Sequence, residues 1–198
     1  MSRPAVPFLA FAACLMTAAP APAVITAKVP LKDVLDKQQM IFAAEVEAVR
    51  PDEPAVTFKL TENLKGKAPF QTLTVSLTGD SFAKKEKHTR VMLDRLAPGR
   101  KLVFFADPVG DEYVAFGFVE GTWFQLRGTK AGESVRWALL HCEPYLRRTF
   151  KGTTDELRTV VVECLAGKRK PPALDEKEPP GYGPPVRANP ERKRGGGG

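Results

Sequence analysis

Hydrophobic and polar residues alternate in short runs over much of the chain between residues 40 and 142. In "IFAAEVEAV" the side chains of Phe42, Ala44 and Val46 fall on one face, and those of Glu45 and Glu47 fall on the other. The runs "VTFKLT" and "TLTVSLT" repeat this period of two. Alternation of this kind is typical of β-strands that bury one face and expose the other. We therefore predict a β-rich fold.

The run "LVFFA", which begins at Leu102, is short and hydrophobic at every position. This pattern predicts a strand that is covered on both faces. Three further strand-like runs follow, namely "YVAFGFV", "WFQLR" and "VRWALLHC". Turn residues separate them at Glu120-Gly121 and in "RGTKAGES". In total we predict six or seven short strands.

Two segments have the period of an α-helix. A short helix is predicted after Pro30, because proline suits the first helical turn. The clearer helix begins after Thr153, which forms a capping box with Glu156, and ends before Gly167. One face of this helix carries a hydrophobic stripe of Leu157, Val160, Val161, Cys164 and Leu165. We expect the helix to fold back over the sheet and bury that stripe.

The N-terminal residues 1–23 have the features of a signal peptide. A single early cation, Arg3, precedes a hydrophobic stretch, and the small residues Ala21 and Ala23 fit a cleavage site. We therefore predict a secreted or periplasmic protein whose folded domain spans residues 24–166. Two alternatives are an uncleaved membrane anchor and an anchor lipidated at Cys14.

The last residues, 167–198, read "GKRKPPALDEKEPPGYGPPVRANPERKRGGGG" and contain few hydrophobic side chains. They hold eight Lys or Arg residues against four Asp or Glu residues. Such a composition cannot offset the entropy cost of folding, so it predicts a disordered, basic tail. The tail is either a solvated extension or an electrostatic tether to an anionic surface.

Beyond the predicted signal peptide, the chain has two cysteines, Cys142 and Cys164. In an oxidising compartment, two cysteines favour one disulfide bond, which would stabilise a small domain by about 3 kcal/mol. The predicted helix brings Cys164 back towards the strand that ends at Cys142, so we expect this pair to be bridged. The alternative is a pair of reduced cysteines in the core.

The stretch His141-Cys142-Glu143 raises the question of metal or thiol chemistry. Neighbouring residues of a strand point to opposite faces, so few of these side chains can reach one ion. The other histidine, His88, lies among cations in "KKEKHTR". We expect no metal, no cofactor and no catalytic residues, and we expect Glu143 to pair with Arg147 or Arg148.

Four motifs resemble those of the OB-fold domains of the tissue-inhibitor-of-metalloproteinase and netrin-like family. They are "MIFAAEVEAV", "VTFKLTENLKG", "LTVSL" and "LAPGRKLVFFA", which lie between Leu31 and Glu120. The resemblance implies an OB-like small β-barrel, and the strand count with a C-terminal helix agrees with that architecture. The inhibitors of this family chelate the protease zinc with an N-terminal cysteine. The chain has no cysteine between residue 24 and Cys142, so that mechanism is not expected.

The second half of the chain, with "VRWALLHCEPYLRRTFKGTTDEL" and "PPGYGPP", is similar to uncharacterised bacterial exported proteins. We expect a non-enzymatic binding module whose ligand is a protein or an anionic polymer. Aromatic and arginine side chains dominate binding hot spots, so the candidate contacts are Trp123, Arg136, Trp137, Tyr145, Arg147 and Arg148. Trp137 also fits a core position, because it shares a strand face with Val135 and Leu139.

The alternative function is inhibition or regulation of an extracytoplasmic protease through the loop "TGDSFAKKEKHTR". Nucleic-acid binding is not expected, because the excess positive charge lies in the tail rather than in the predicted barrel.

Overall fold

A computed structural model describes residues 25, 27–132 and 134–186. The predicted signal peptide and Cys14 lie outside the described residues, as do residues 187–198. The elements, in chain order, are α1 (Leu31–Lys37), β1 (Met40–Arg50), β2 (Ala55–Lys65), β3 (Thr72–Ser76), α2 (Ser81–Lys85), α3 (His88–Leu93), β4 (Lys101–Val109), β5 (Glu112–Val119), β6 (Thr122–Ala131), β7 (Ser134–Cys142), a 3-10 helix (Pro144–Arg148) and α4 (Thr154–Leu165).

The seven strands form a closed barrel in the order β1-β2-β3-β7-β6-β5-β4. Neighbouring strands are antiparallel, apart from β3 and β7, which run parallel. The prediction of a mainly β, OB-like small barrel with a C-terminal helix is confirmed.

Large aromatic side chains fill the inside of the barrel. Phe42 and Phe104 stack with ring centroids 5.3 Å apart, and Phe58 and Phe124 contact the Phe104 ring edge to face. Gly117 lies beside this cluster, where a Cβ atom would overlap the ring of Phe124. The hydrophobic positions of the alternating pattern are therefore the residues that face the barrel interior.

A second hydrophobic cluster lies outside the barrel, under α1 and α4. Val103 and Phe105 of β4 point into it, whereas Leu102 and Phe104 point into the barrel. The predicted coverage of "LVFFA" on both faces is confirmed.

None of the helices in the described ranges combines the length and hydrophobicity that crossing a membrane requires.

The capping box of α4 is also confirmed. The Thr153 hydroxyl accepts a hydrogen bond from the backbone N–H of Glu156, whose carboxylate accepts one from the backbone N–H of Thr153. Leu157 and the two valines after it in the stripe are buried, while Leu165 is 39% exposed. Gly167 ends the helix in the left-handed conformation, with φ +69°. The stripe therefore binds the barrel through its N-terminal part.

The predicted disulfide bond is absent, because Cys142 and Cys164 are both free thiols. Cys142 points into the barrel and packs in the inner cluster, whereas Cys164 packs at the edge of the outer cluster. The strand that carries Cys142 therefore directs its thiol away from the face that α4 covers.

The charged segment after β3, described above as a loop, forms two short helices. Asp80 caps α2, because its carboxylate accepts a hydrogen bond from the backbone N–H of Ala83 at 2.7 Å. His88 and Met92 of α3 are buried. The buried side chains of Ala83, His88 and Met92 thus fix a segment whose lysines remain exposed.

The expected disorder after Gly167 is not found over residues 168–186, and from Asp175 onwards this segment is hydrogen-bonded to the rest of the domain. The backbone N–H of Gly183 donates to the Thr122 hydroxyl at 2.9 Å, and the Arg95 guanidinium donates twice to the Gly183 carbonyl. The Tyr182 hydroxyl bonds to His88. Composition predicted disorder because this segment has no hydrophobic stripe; specific polar contacts hold it instead.

Replacing Gly183 by alanine should release this segment. A Cβ atom at Gly183 would overlap the Glu120 carbonyl oxygen, whereas one at Gly181 would meet nothing closer than Arg147 Cδ at 3.7 Å. We expect Gly183→Ala to lower the free energy of unfolding by about 2 kcal/mol. Hydrogen exchange should show loss of amide protection in residues 181–186. Gly181→Ala is the matched control, and equal protection in both variants would contradict this packing.

The two thiols should differ sharply in reactivity. Burial raises the pKa of the Cys142 thiol to about 12, while Cys164 lies at the rim of the outer cluster. We expect iodoacetamide to modify Cys164 in the folded protein and Cys142 only after unfolding in guanidinium. Mass spectrometry of the alkylated peptides measures this order. A native protein two hydrogens lighter than its sequence would show instead that the cysteines are bridged.

Candidate functional site

The barrel closes weakly between β3 and β7. The two strands share only two bridge pairs in the described chain, Val75 with Trp137 and Ser76 with Ala138. The other neighbouring strands share at least five pairs each. We call the region where β3 and β7 diverge, residues 72–74 and 134–136, the seam.

Backbone polar groups face each other across the seam. The backbone N–H of Leu60 donates to Gln71, and that of Leu77 donates to Pro54. Both bonds join an odd-numbered residue of this segment to β2 or its neighbour. In the antiparallel register, the backbone N–H and C=O groups of odd-numbered residues therefore face β2, and those of Thr72 and Thr74 face β7.

The same reasoning applies to β7. The backbone N–H of Lys130 donates away from β7, to Asp111, and Lys130 is paired with Val135. Opposite residues of an antiparallel pair face either towards or away from each other, so the backbone groups of Val135 face β3. The seam therefore has strand edges on both sides.

A cavity of about 540 Å³ opens at the seam. Thr72, Thr74 and Val135 line it from the two strands, and Phe70 and Tyr113 add aromatic walls. The Phe70 ring packs edge to face on Tyr113, with centroids 5.8 Å apart. The seam cavity thus has polar strand residues along its sides and aromatic rings at one end.

Trp137 lies beneath these walls. Its ring is 5.3 Å from Phe70 and 5.9 Å from Tyr113, between centroids. The side chain is 3% exposed, and its indole Nε1 has no hydrogen-bond partner among the described residues. A buried donor of this kind is uncommon, because leaving it unpaired costs about 1–3 kcal/mol.

The rim of the seam carries three cations, beside the carboxylates of Asp111 and Glu112. Lys59, Lys130 and Arg136 are exposed around it. Lys130 Nζ lies 5.9 Å from the centroid of the Tyr113 ring and 3.9 Å from the Asp111 carboxylate. The surroundings of the cavity therefore favour an anionic ligand over a cationic one.

The structure divides the six predicted contact residues into three groups. Arg136 belongs to the seam and Trp137 follows it directly, on the outer and inner faces of β7 respectively, and neither side chain lines the seam cavity. Trp123 belongs to the outer cluster, where its indole N–H donates to the Phe150 carbonyl at 2.8 Å.

Tyr145, Arg147 and Arg148 form the third group, on the 3-10 helix, and the two arginines hold the C-terminal segment. Arg147 donates twice to the Glu178 carboxylate, at 3.0 and 2.8 Å, and Arg148 donates to the Glu178 carbonyl at 3.0 Å. The Arg148 guanidinium lies over the Tyr145 ring, 5.3 Å from its centroid. The predicted pairing of Glu143 with these arginines is wrong; Glu143 bonds to His141 instead.

A second cavity, of about 630 Å³, lies between the 3-10 helix, the start of α4 and the C-terminal segment. It is lined by cations, but Lys151 pairs with Asp175 at 3.0 Å, and Arg169 pairs with Glu163 at 3.3 Å. These charges are already paired within the protein. At the seam only Lys130, of the three exposed cations, has a carboxylate partner among the described residues, so the second cavity is less suited than the seam to an anionic ligand.

A buried polar cluster occupies the opposite end of the barrel. The backbone N–H of Cys142 donates to His88 Nδ1 at 3.0 Å, so Nδ1 carries no proton. His88 Nε2 therefore donates to the Tyr182 hydroxyl at 2.9 Å. Burial and the nearby His141 lower the pKa of His88. His88 is therefore a neutral connector between β7 and the C-terminal segment.

The pKa of the second histidine of this cluster, His141, is shifted in the opposite direction. His141 Nε2 lies 2.9 Å from a Glu143 oxygen, and the other oxygen of Glu143 accepts a hydrogen bond from the backbone N–H of Ile25. Burial alone lowers the pKa of His141, but Glu143 and Asp80 together raise it above its ordinary value. The cluster therefore holds one histidine that resists protonation and one that favours it.

The described residues contain no group of three or more His, Cys, Asp or Glu side chains placed to bind a metal ion. The raised pKa of Cys142 keeps its sulfur protonated at neutral pH, although the thiolate is the reactive form. The geometry near His141 thus supports folding rather than thiol chemistry.

Sequence reasoning missed Phe70 and Tyr113 at the seam and Tyr182 in the C-terminal segment. Phe70 lies in a loop without periodicity, and Tyr113 lies near the start of β5. Tyr182 does have a signal, since a single aromatic residue between glycines and prolines in "PPGYGPP" can anchor an otherwise polar segment.

The two histidines should make stability depend on pH in opposite directions. His88 has a lowered folded-state pKa, so its contribution is complete above its ordinary value of 6.5 and is lost as pH falls below it. His141 has a raised folded-state pKa, so its contribution is complete below 6.5 and is lost as pH rises through the folded-state pKa.

Urea unfolding of His88→Gln and His141→Gln between about pH 5 and 8 separates the two effects. The His141→Gln variant should gain stability as pH rises, and the His88→Gln variant should lose it. Slopes of the same sign in both variants would contradict the assigned protonation states.

Comparison of the chain with models of protein families, with curated proteins and with solved structures gives no match. The resemblance to tissue inhibitors of metalloproteinases and netrin-like domains therefore stays a prediction.

Proposed function

We propose that the protein is an exported, non-catalytic module that binds a protein or an anionic polymer at the seam. The observation that carries this proposal is the coincidence of an open cavity, weak strand pairing and an aromatic cluster at one position. Ligand sites commonly combine a largely apolar concave surface with a few polar groups that fix orientation. The seam has both, in the rings of Phe70 and Tyr113 and in the backbone groups of Thr72 and Thr74.

The aromatic residues support binding energetically. Tyr113 is partly exposed and Trp137 is packed behind it, so a ligand against Tyr113 would contact a ring that is already held in place. Preformed aromatic surfaces contribute strongly to affinity because little side-chain entropy is lost on binding. The basic rim adds attraction for negative charge.

A comparison of two tyrosines tests the location of the site. Tyr113 lines the seam cavity, whereas Tyr145 lies beside Arg148 in the other group of predicted contacts. Tyr113→Ala should weaken binding about tenfold or more, as loss of a hot-spot aromatic does, and Tyr145→Ala should leave it within about twofold.

The probes are random heptapeptides displayed on phage, and polyglutamate and dextran sulfate immobilised on a sensor surface. At least one probe should bind the unmodified protein and lose affinity in Tyr113→Ala. The proposal is wrong if no probe binds, or if binding depends on Tyr145 rather than Tyr113. Lys84→Gln/Lys85→Gln on α2 controls for loss of positive charge away from the seam.

A further inference from the structure

The edge of β3 at the seam has the properties of an unpaired sheet edge. The backbone groups of Thr72 and the N–H of Thr74 face the cavity, whereas the Thr74 carbonyl belongs to the bridge between Val75 and Trp137, where the pairing with β7 begins. An extended peptide can satisfy such groups by adding a strand, which gains main-chain hydrogen bonds without requiring a particular sequence. A polysaccharide or a synthetic polyanion has no matching row of alternating donors and acceptors.

The two sides of the seam differ in chemistry. Leu73 and Trp137 face the barrel interior, whereas Thr72, Thr74 and Arg136 face solvent. A strand that adds beside β3 alternates its side chains between these two sides. Hydrophobic side chains would therefore point towards Phe70, Tyr113 and Trp137, and the intervening side chains would point towards the basic rim.

The charges of the rim decide what the intervening side chains should be. Lys59 pairs in register with Thr72 and is exposed, as is Arg136 on β7. Acidic side chains complement these cations. A second copy of this chain has no excess of acidic side chains, since its net charge is +7, so it complements these cations less well than an acidic peptide does. The chain's own residues 187–198 are also poor partners, because four of them are Lys or Arg and only Glu191 is acidic.

We infer that the seam binds an extended peptide, in which acidic and hydrophobic residues alternate, as an additional strand on the edge of β3. The inference rests on the proposed function, because it names the class of ligand that the same site takes. The peptide backbone pairs with the N–H and C=O groups of Thr72 and with the N–H of Thr74. Its hydrophobic residues contact the aromatic walls, and its acidic residues lie near Lys59 and Arg136.

The probe is a capped, fluorescein-labelled heptapeptide of sequence Glu-Val-Glu-Phe-Glu-Val-Glu. Fluorescence anisotropy should show binding to the full chain, with affinity falling about tenfold in Tyr113→Ala. The same peptide with lysine in place of glutamate should bind at least about tenfold more weakly, because it meets the rim with like charge. Equal binding of the two peptides would overturn the charge assignment.

Methylation of single backbone amides of the probe tests strand addition directly. In a peptide paired on one edge, every second N–H points to β3 and the others point away. Methyl groups at alternate positions should therefore weaken binding about tenfold, and those at the positions between them should leave affinity within about twofold. Insensitivity at every position, or equal loss at every position, would overturn the inference.

A protein variant gives an independent check. Thr74→Pro removes a backbone N–H that faces the seam and not β2, so the β2–β3 ladder can remain. Thr74→Val keeps the N–H and is the matched control. We expect only the proline variant to lose affinity by about tenfold; equal affinity in the two variants would argue against pairing with β3.

The outcomes separate this inference from the proposed function. If dextran sulfate binds in a Tyr113-dependent manner while the heptapeptide does not, the seam is a binding site and the inference of strand addition is wrong. If the heptapeptide and the other probes all fail to depend on Tyr113, both the inference and the proposed function are wrong.

Discussion

The structure depends on hydrophobic burial on both faces of β4. Leu102 and Phe104 fill the barrel, while Val103 and Phe105 bind α1 and α4 from outside. A strand covered twice buries roughly double the hydrophobic area of a half-exposed one, which matters in a domain of this size. The helices are thereby fixed on one side of the barrel. On the opposite side, no helix of the described chain covers residues 72–74 and 134–136, so the outer surface of β3 and β7 stays polar and accessible there.

This difference between the covered and uncovered sides of the barrel links the stability of the fold to the proposed binding site. The covered side contributes a continuous core, so the barrel can tolerate a short pairing between β3 and β7 without opening. Weak closure would be costly in a barrel that relied on its strand ladders alone, because unpaired backbone groups need partners. At the seam they face a cavity that water or a ligand can enter. The site that we propose is thus a consequence of where the helices pack.

The C-terminal segment shows how polar contacts can order a chain that composition predicts to be disordered. Tyr182 reaches His88, and Arg95 binds the Gly183 carbonyl. In a buried network each hydrogen bond is worth more than at the surface, and each missing partner costs more. The segment therefore packs in one position. Arg147 and Arg148, which sequence reasoning assigned to a ligand, bind Glu178 of this segment instead.

Local physics determined much of this protein from sequence alone. Residues that alternate at a period of two became strands, Thr153 and Glu156 formed their capping box, and the alternation of β7 set Trp137 on its inner face and Arg136 on its outer face. Tertiary structure alone decided which strands pair, because pairing depends on contacts between residues far apart in the chain. It directed Cys142 away from the face that α4 covers, and it brought Phe70 and Tyr113 together with Trp137. No local sequence pattern predicts that these three rings pack together, because their contact depends on the closure of the whole barrel.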